Sequence, residues 1–301
     1  MTESESPSIV MDTNMRAQPA AAQIEVDLHG TRRRCARLDR YVAQNLLDDG
    51  AFLCPHFKEC RRSRRPGDAF REGVMSHVGR RFDLRIGGRP LRIVVVGQES
   101  GWAKAPALRR RVSLESRSWA VHDWTGIERR YYADDEHAAR NPHMRGTTSA
   151  LRTVFGKGLG TDHEDEFVRP SNGRAFHIFD GFALVNRLLC SAGPRGSSDG
   201  HPTKTMLGNC EEHFRATMSI LQPTLVILQG KKVDVSTRST FERTHSYSQE
   251  LHEAVFEGER LLVCAFSHPS AHGALRWGDS LTAPYLNDVV VPTLKKAIRQ
   301  L

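Results

Sequence analysis

Gln98 and Glu99 directly follow an apolar run in the stretch VVVGQESGW, residues Val94 to Trp102. An amide that can both donate and accept, next to a carboxylate, suits a site that holds a polar ligand and takes a proton from water. Three other apolar runs end in polar groups in the same way. Asn186 ends Phe182–Asn186, Gly230-Lys231-Lys232 follows Leu225–Gln229, and Ser267-His268-Pro269-Ser270 follows Leu261–Phe266. Short, near-continuous apolar runs are the signature of strands covered on both faces of a parallel sheet. Ligands of such sheets sit outside the carboxyl ends of the strands. The four runs therefore predict one pocket that gathers Gln98, Glu99, Asn186 and His268.

The elements that must position these groups alternate strand and helix. Leu91–Gln98 is the first expected strand. A helix is expected over Thr203–Leu221, because Leu207, Cys210, Phe214, Met218 and Leu221 fall three and four apart, with Pro223 just beyond. A last helix is expected over Tyr285–Gln300, kinked or restarted at Pro292. The expected fold is an α/β/α sandwich around a four-stranded, mainly parallel sheet. The loop after the first strand has neither GxxxxGK[ST] nor GxGxxG, so it is no phosphate cradle, and Glu99 stands where a nucleophile elbow needs serine.

Bulk composition sets the class. The chain has 301 residues, 39% of them hydrophobic, enough for a sizeable core. Residues 1–25 are polar and alanine-rich, which predicts a disordered tail, and 26–301 form one domain. The acidic start predicts no secretory signal, and the short aliphatic runs predict no membrane span, so a cytoplasmic monomer is expected. The net charge is +8, with arginines clustered at Arg32–Arg34, Arg61–Arg65 and Arg109–Arg111. Arginine forks match phosphates, which makes a polyanion a plausible partner. Six cysteines in a chain this long point to buried thiols or a metal centre rather than to a disulfide scaffold. Cys264 falls within a core strand and reads as a buried thiol.

These motifs resemble, in order and spacing, the uracil-DNA glycosylase superfamily: VVVGQESGW, FALVNRLLC, LQPTLVILQGKKV and FSHPSAHGALRWG. The similarity runs from about Cys54 to Leu301, with unmatched insertions near Ala103–Arg140 and Val233–Glu257. The segment from Asn186 to Phe214 looks like the part of the iron–sulfur branch that holds two cluster cysteines. The resemblance implies a DNA glycosylase that flips uracil, or a related damaged base, out of DNA and hydrolyses it off. It implies that Gly97 and Gln98 hold the base, Glu99 orients the attacking water, Asn186 reads the pyrimidine and His268 donates to the developing oxyanion. Ser267, Pro269 and Ser270 form the last loop and press on the phosphate backbone. Leu275 or Arg276 fills the gap left by the flipped nucleotide. Trp102 narrows the pocket, and His143, in NPHMRGTTSALRTVFG, is the candidate for stacking on the base. A 4Fe–4S cluster is implied on Cys54, Cys60, Cys190 and Cys210. Cys54 and Cys60 make a C-x5-C pair where the branch has C-x2-C, and Cys35 is an alternative ligand. Ser100 stands where the family has proline. A glycosylase for a non-uracil base and a non-catalytic iron–sulfur DNA-binding protein are the competing readings.

Overall fold

A computed structural model of the chain describes residues 23–48, 51–71, 75–99, 113–194 and 200–301. The expected tail ends earlier than residue 25. Ile24–Val26 forms a strand antiparallel to Leu84–Ile86, so Ile24 and Glu25 belong to the fold. The rest of that tail, residues 1–22, lies outside the described residues, as do Ser100 and Trp102.

Among the described residues the main sheet has seven strands: β1 (His77–Val78), β2 (Ile93–Gly97), β3 (Phe182–Asn186), β4 (Leu225–Gln229), β5 (Glu242–Ser246), β6 (Leu251–Phe256) and β7 (Glu259–Phe266). Their order is β5-β6-β7-β4-β2-β3-β1. The four strands expected from sequence are the parallel centre, β7-β4-β2-β3. The expectation of a four-stranded sheet is corrected to a mixed sheet of seven, with antiparallel strands on both edges. These edge strands lack the buried-strand signature: β1 has two residues, and β5 is mostly exposed. The stretch expected as an insertion near 233–257 supplies β5 and β6.

The central strands are buried on both faces, which is why they read as unbroken apolar runs. Val94, Val96, Ala183, Val185, Val226 and Leu228 belong to one core. Ile93, Val95, Phe182, Leu184, Leu225 and Ile227 belong to the other. The first core takes in the helices α1 (Leu28–Asn45), α2 (Phe57–Ser63) and part of α5 (Lys204–Leu221). The insertion before residue 140 contains α3 (Leu114–Trp119), which runs into a π-helical segment, Ala120–Ile127. The second core takes in α4 (Pro142–Val154), which opens with Asn141 Oδ1 accepting from the Met144 amide at 2.9 Å.

Helix α5 (Lys204–Leu221) begins where its spacing predicts, capped by Thr203, and ends in left-handed Gln222 at φ 47° before Pro223. The short α6 (Lys231–Ser236) follows β4. Of the two expectations at Pro292, the restart is found: a π-helical turn, Tyr285–Val290, hands over to α7 (Val291–Gln300) with proline in its first turn. No described helix is long and apolar enough to cross a membrane.

Two histidines sit deep beside the edge of this sheet. His77 bonds the Phe179 carbonyl through Nε2 at 2.9 Å, and His177 accepts the Phe179 amide on Nδ1 at 3.1 Å. Burial holds both rings near pKa 4, below the ordinary 6.5. The unfolded chain therefore takes these protons first, and stability present above pH 6.5 is lost as pH falls toward 4. Each ring contributes up to about 1.4 kcal/mol per pH unit in that window. The urea midpoint is expected to be lower at pH 5 than at pH 7.5; an equal or higher midpoint at pH 5 contradicts neutral burial of these rings.

Candidate active site

Hydrogen bonding carries the β2–β3 ladder past the strand ends: the Arg187 amide donates to Gly97 O and the Leu188 amide to Gln98 O, both at 2.8 Å. This fixes Gln98 against the chain leaving Asn186. Arg187 is itself buried, bonded to Ser236 O and Leu207 O at 3.1 Å and paired with Glu211. The strand ends are thus tied to α5 and α6, so the polar groups they carry sit on rigid elements.

A Cβ placed on Gly97 would stand 3.3 Å from Asn186 Oδ1 and 3.8 Å from His143 Nε2. The missing side chain leaves room between these groups. The His143 ring stacks on His268 with centroids 5.5 Å apart and planes at 24°. Burial, then the neighbouring His268, pushes His143 down to about 3, and burial lowers His268 as well, so both rings are neutral at pH 7. Asn186 is buried and makes no side-chain hydrogen bond among the described residues. Gln229, fully buried at the end of β4, donates to Thr147 Oγ1 at 3.1 Å and faces His143. Sequence reasoning missed Gln229 and Thr147, although Gln229 ends its apolar run as Asn186 ends another.

His268 is held by its own loop. Its Nδ1 accepts the Ser270 amide at 3.1 Å, so the neutral ring carries its proton on Nε2. Ser267 Oγ donates to Leu275 O at 2.6 Å, and Trp277 Nε1 donates to Ser267 O at 2.8 Å. Pro269 packs against α4 at Gly146, where a Cβ would come within 2.7 Å of the proline Cβ. Leu275 protrudes in a short 3₁₀ turn at 39% exposure. Arg276 is half-exposed and paired with Asp279, which also holds Arg145 at 3.1 Å.

Gln98 lines a cleft of about 500 Å³ with Arg65, His201, Lys231, Lys232 and Ser236. Glu99 turns toward Gly200, where a Cβ would overlap the Glu99 carboxylate. Burial raises Glu99 to about 7, while the Ala192 amide, Lys232 and the Ser191 hydroxyl act in the opposite sense. Neither carboxylate oxygen makes a hydrogen bond of ordinary geometry among the described residues, and neither does Gln98 Oε1. The structure therefore brings Gly97, Asn186, His143 and His268 together. It sets Gln98 on an adjoining basic cleft, with Glu99 beside Gly200 and Lys232, two residues of that cleft. Gly200, Ser191 and Lys232 shape the Glu99 environment and carry no motif that marks them in sequence.

Cys54, Cys60 and Cys210 share one buried region: Cys54 and Cys60 act on Cys210, and Cys60 acts on Cys54, each charge opposing the next. Burial pushes Cys210 up to about 11 and raises Cys54 and Cys60. Hydrogen-bond donors surround the sulfurs: the His56 and Phe57 amides at Cys54, Asn209 Nδ2 at 3.4 Å from Cys60, and the Leu189 amide at Cys210. Cys190 follows Leu189 and is buried in the same core. Cys35 packs against the same core, with Asp39 and Asp83 as its charged neighbours. Cys264 is fully buried in β7, as expected.

The one His/Cys/Asp/Glu group compact enough for a single ion, among the described residues, is His163, Glu166 and His177. Its hydrogen bonding argues against a metal. His177 Nδ1 accepts the Phe179 amide, so Nε2 carries the proton and donates to Glu166 Oε2 at 2.9 Å. Arg140 grips both Glu166 oxygens at 2.7 Å. The ligand atoms are already spent on one another. No family model matches this chain, and no curated protein matches it.

Proposed function

We propose that the protein is a DNA glycosylase that excises uracil or a related damaged base, on a uracil-DNA-glycosylase-like three-layer α/β/α fold. The observation that carries this reading is the grouping at Gly97, where the Asn186 amide and the stacked His143–His268 pair converge beside a basic cleft. A flipped pyrimidine needs such groups: an amide along its edge, a flat wall and an N–H donor at its carbonyl. The cleft with Arg65, Lys231 and Lys232 suits the phosphates. Leu275 is the apolar wedge for the emptied stack.

In this reading Asn186 donates to one base carbonyl and accepts from the ring N–H. The C1′–N bond breaks, and its electron pair passes onto the base, where His268 Nε2–H stabilises the oxyanion. Water adds through oxygen to C1′, and Glu99 takes its proton. The proton ends on the departing base, leaving an abasic hemiacetal. Among the cysteines, Cys54, Cys60, Cys190 and Cys210 would hold a 4Fe–4S cluster. The four-sulfur donor set and the N–H groups beside its sulfurs fit a soft metal centre. When bound, such a cluster would tie α2 and the chain after β3 to α5, away from the reacting atoms. The partner is DNA, bound by a monomer.

A panel of duplex oligonucleotides, each carrying one uracil, hypoxanthine or hydroxymethyluracil and followed by alkaline cleavage, tests the reading and identifies the base. Release of a base from at least one substrate is expected. Binding without strand scission on every substrate would falsify it and favour the non-catalytic DNA-binding alternative. On the preferred substrate, Asn186→Ala is expected to weaken excision about 10- to 100-fold, the cost of unpaired groups on a bound base. An Asn186→Ala rate equal to wild type would put the base elsewhere.

A further inference from the structure

Cys54 has a side-chain neighbour that a four-cysteine centre does not account for. His213 Nε2 stands 3.6 Å from Cys54 Sγ, and His213 Nδ1 stands 2.8 Å from Tyr41 Oη. His213 lies on α5 three residues after Cys210, so the two share a helix face. Tyr41 comes from α1 and meets the imidazole edge-on, with centroids 6.1 Å apart. Three separate segments are brought together to set one ring beside one sulfur.

The proton positions follow from counting donors and acceptors. Tyr41 has a single hydroxyl hydrogen, and its only side-chain hydrogen-bond partner among the described residues is His213 Nδ1. A cluster-bound Cys54 thiolate can only accept, so in the proposed centre the ring carries its proton on Nε2 and the Tyr41 phenol donates to Nδ1. That N–H is the one 3.6 Å from Cys54 Sγ. A hydrogen bond to a cluster-bound sulfur withdraws charge from the thiolate and favours the reduced cluster, one of the ways a protein sets such a potential.

We propose that His213, oriented by Tyr41, is a positioning residue of the metal centre: it donates to the Cys54 sulfur and raises the reduction potential of the 4Fe–4S cluster. This rests on the cluster assignment made under the proposed function.

The test uses the full chain, purified anaerobically, as wild type, His213→Ala, His213→Gln and Tyr41→Phe. Iron and sulfide per chain and the midpoint potential by protein-film voltammetry are measured for each. His213→Ala and Tyr41→Phe are expected to keep the wild-type iron content and to shift the potential to more negative values. His213→Gln, whose amide can still donate, is expected to recover part of the shift. Tyr41→Phe leaves the imidazole and every cysteine in place, so it reports even where His213→Ala folds poorly. Unchanged potentials with iron retained overturn the proposal. Loss of iron in His213→Ala that His213→Cys restores also overturns it, because His213 is then a ligand. Wild-type protein without iron and sulfide removes the cluster assignment itself, and the proposal falls with it; that result is distinct from the other two.

Discussion

Glu99→Gln is expected to lower the single-turnover rate of base release by about 10²- to 10⁴-fold, the usual worth of a positioned acid–base group, while leaving DNA binding and the fold intact. Burial is the main cause of the raised Glu99 pKa, about 7 against an ordinary 4.5. A base poised there takes a proton from water readily at neutral pH and returns it readily to the product. The active form is the carboxylate. Wild-type excision should therefore fall about tenfold per pH unit below pH 7 and level off above it. Glu99→Gln should have no such limb. Stability separates this from unfolding. A carboxyl raised in the fold binds its proton more tightly there than in the unfolded chain, so ionising it costs stability as pH rises from 4.5 through 7. Glutamine removes that cost, so the variant should be no less stable than wild type at pH 8. Wild-type rates in Glu99→Gln, or a limb that survives the substitution, would take Glu99 out of the reaction.

The same residue marks how far the sequence could be read. The four central strands were legible because each is buried on both faces and so carries an unbroken apolar run, and helix α5 because its apolar face repeats at three and four with a capping threonine. Once those elements were placed, the carboxyl-end rule named Gln98, Asn186 and His268 directly. What stayed hidden depends on contacts distant in sequence. His143 was a candidate for stacking on the base, and the structure sets it against His268, 125 residues on by numbering, so the two rings form one wall. Gly200, whose missing Cβ makes room for the Glu99 carboxylate, lies in a stretch that carries no helix or strand signal. His213 left one faint trace, its three-residue spacing from Cys210 on a helix, and Tyr41 left none.

Least visible of all was the network that holds the insertion before residue 140. Arg140 and Glu166 are 26 residues apart, and both are at most 1% exposed. Arg140 uses its whole fork. Besides both Glu166 oxygens it reaches Thr148 Oγ1 at 3.0 Å, Thr125 O at 2.9 Å, Gly126 O at 2.8 Å and Arg129 O at 3.2 Å. One side chain thus pins the end of the π-helical segment and the loop after it to α4. His163 and His177 complete the carboxylate, holding Glu166 well below the usual range despite its burial.

Removing only the charge, with Glu166→Gln, leaves Arg140 buried without its counter-ion, and the expected loss of stability is about 3–5 kcal/mol. That is a large share of the ~5–15 kcal/mol that stabilises an ordinary domain. Urea unfolding at pH 7.5 measures it. The double variant Arg140→Met/Glu166→Leu removes the orphaned charge and should recover part of the loss. The remainder reflects the carbonyls of Thr125, Gly126 and Arg129, which no longer have a donor. Zinc added to wild type should leave the midpoint unchanged, because His177 presents a proton and not a lone pair to Glu166. A single-variant loss below about 1 kcal/mol, the range of exposed pairs, would mean that the pair is wet and the insertion is anchored by something else. A rise in the midpoint with zinc would turn these same three residues into a metal site.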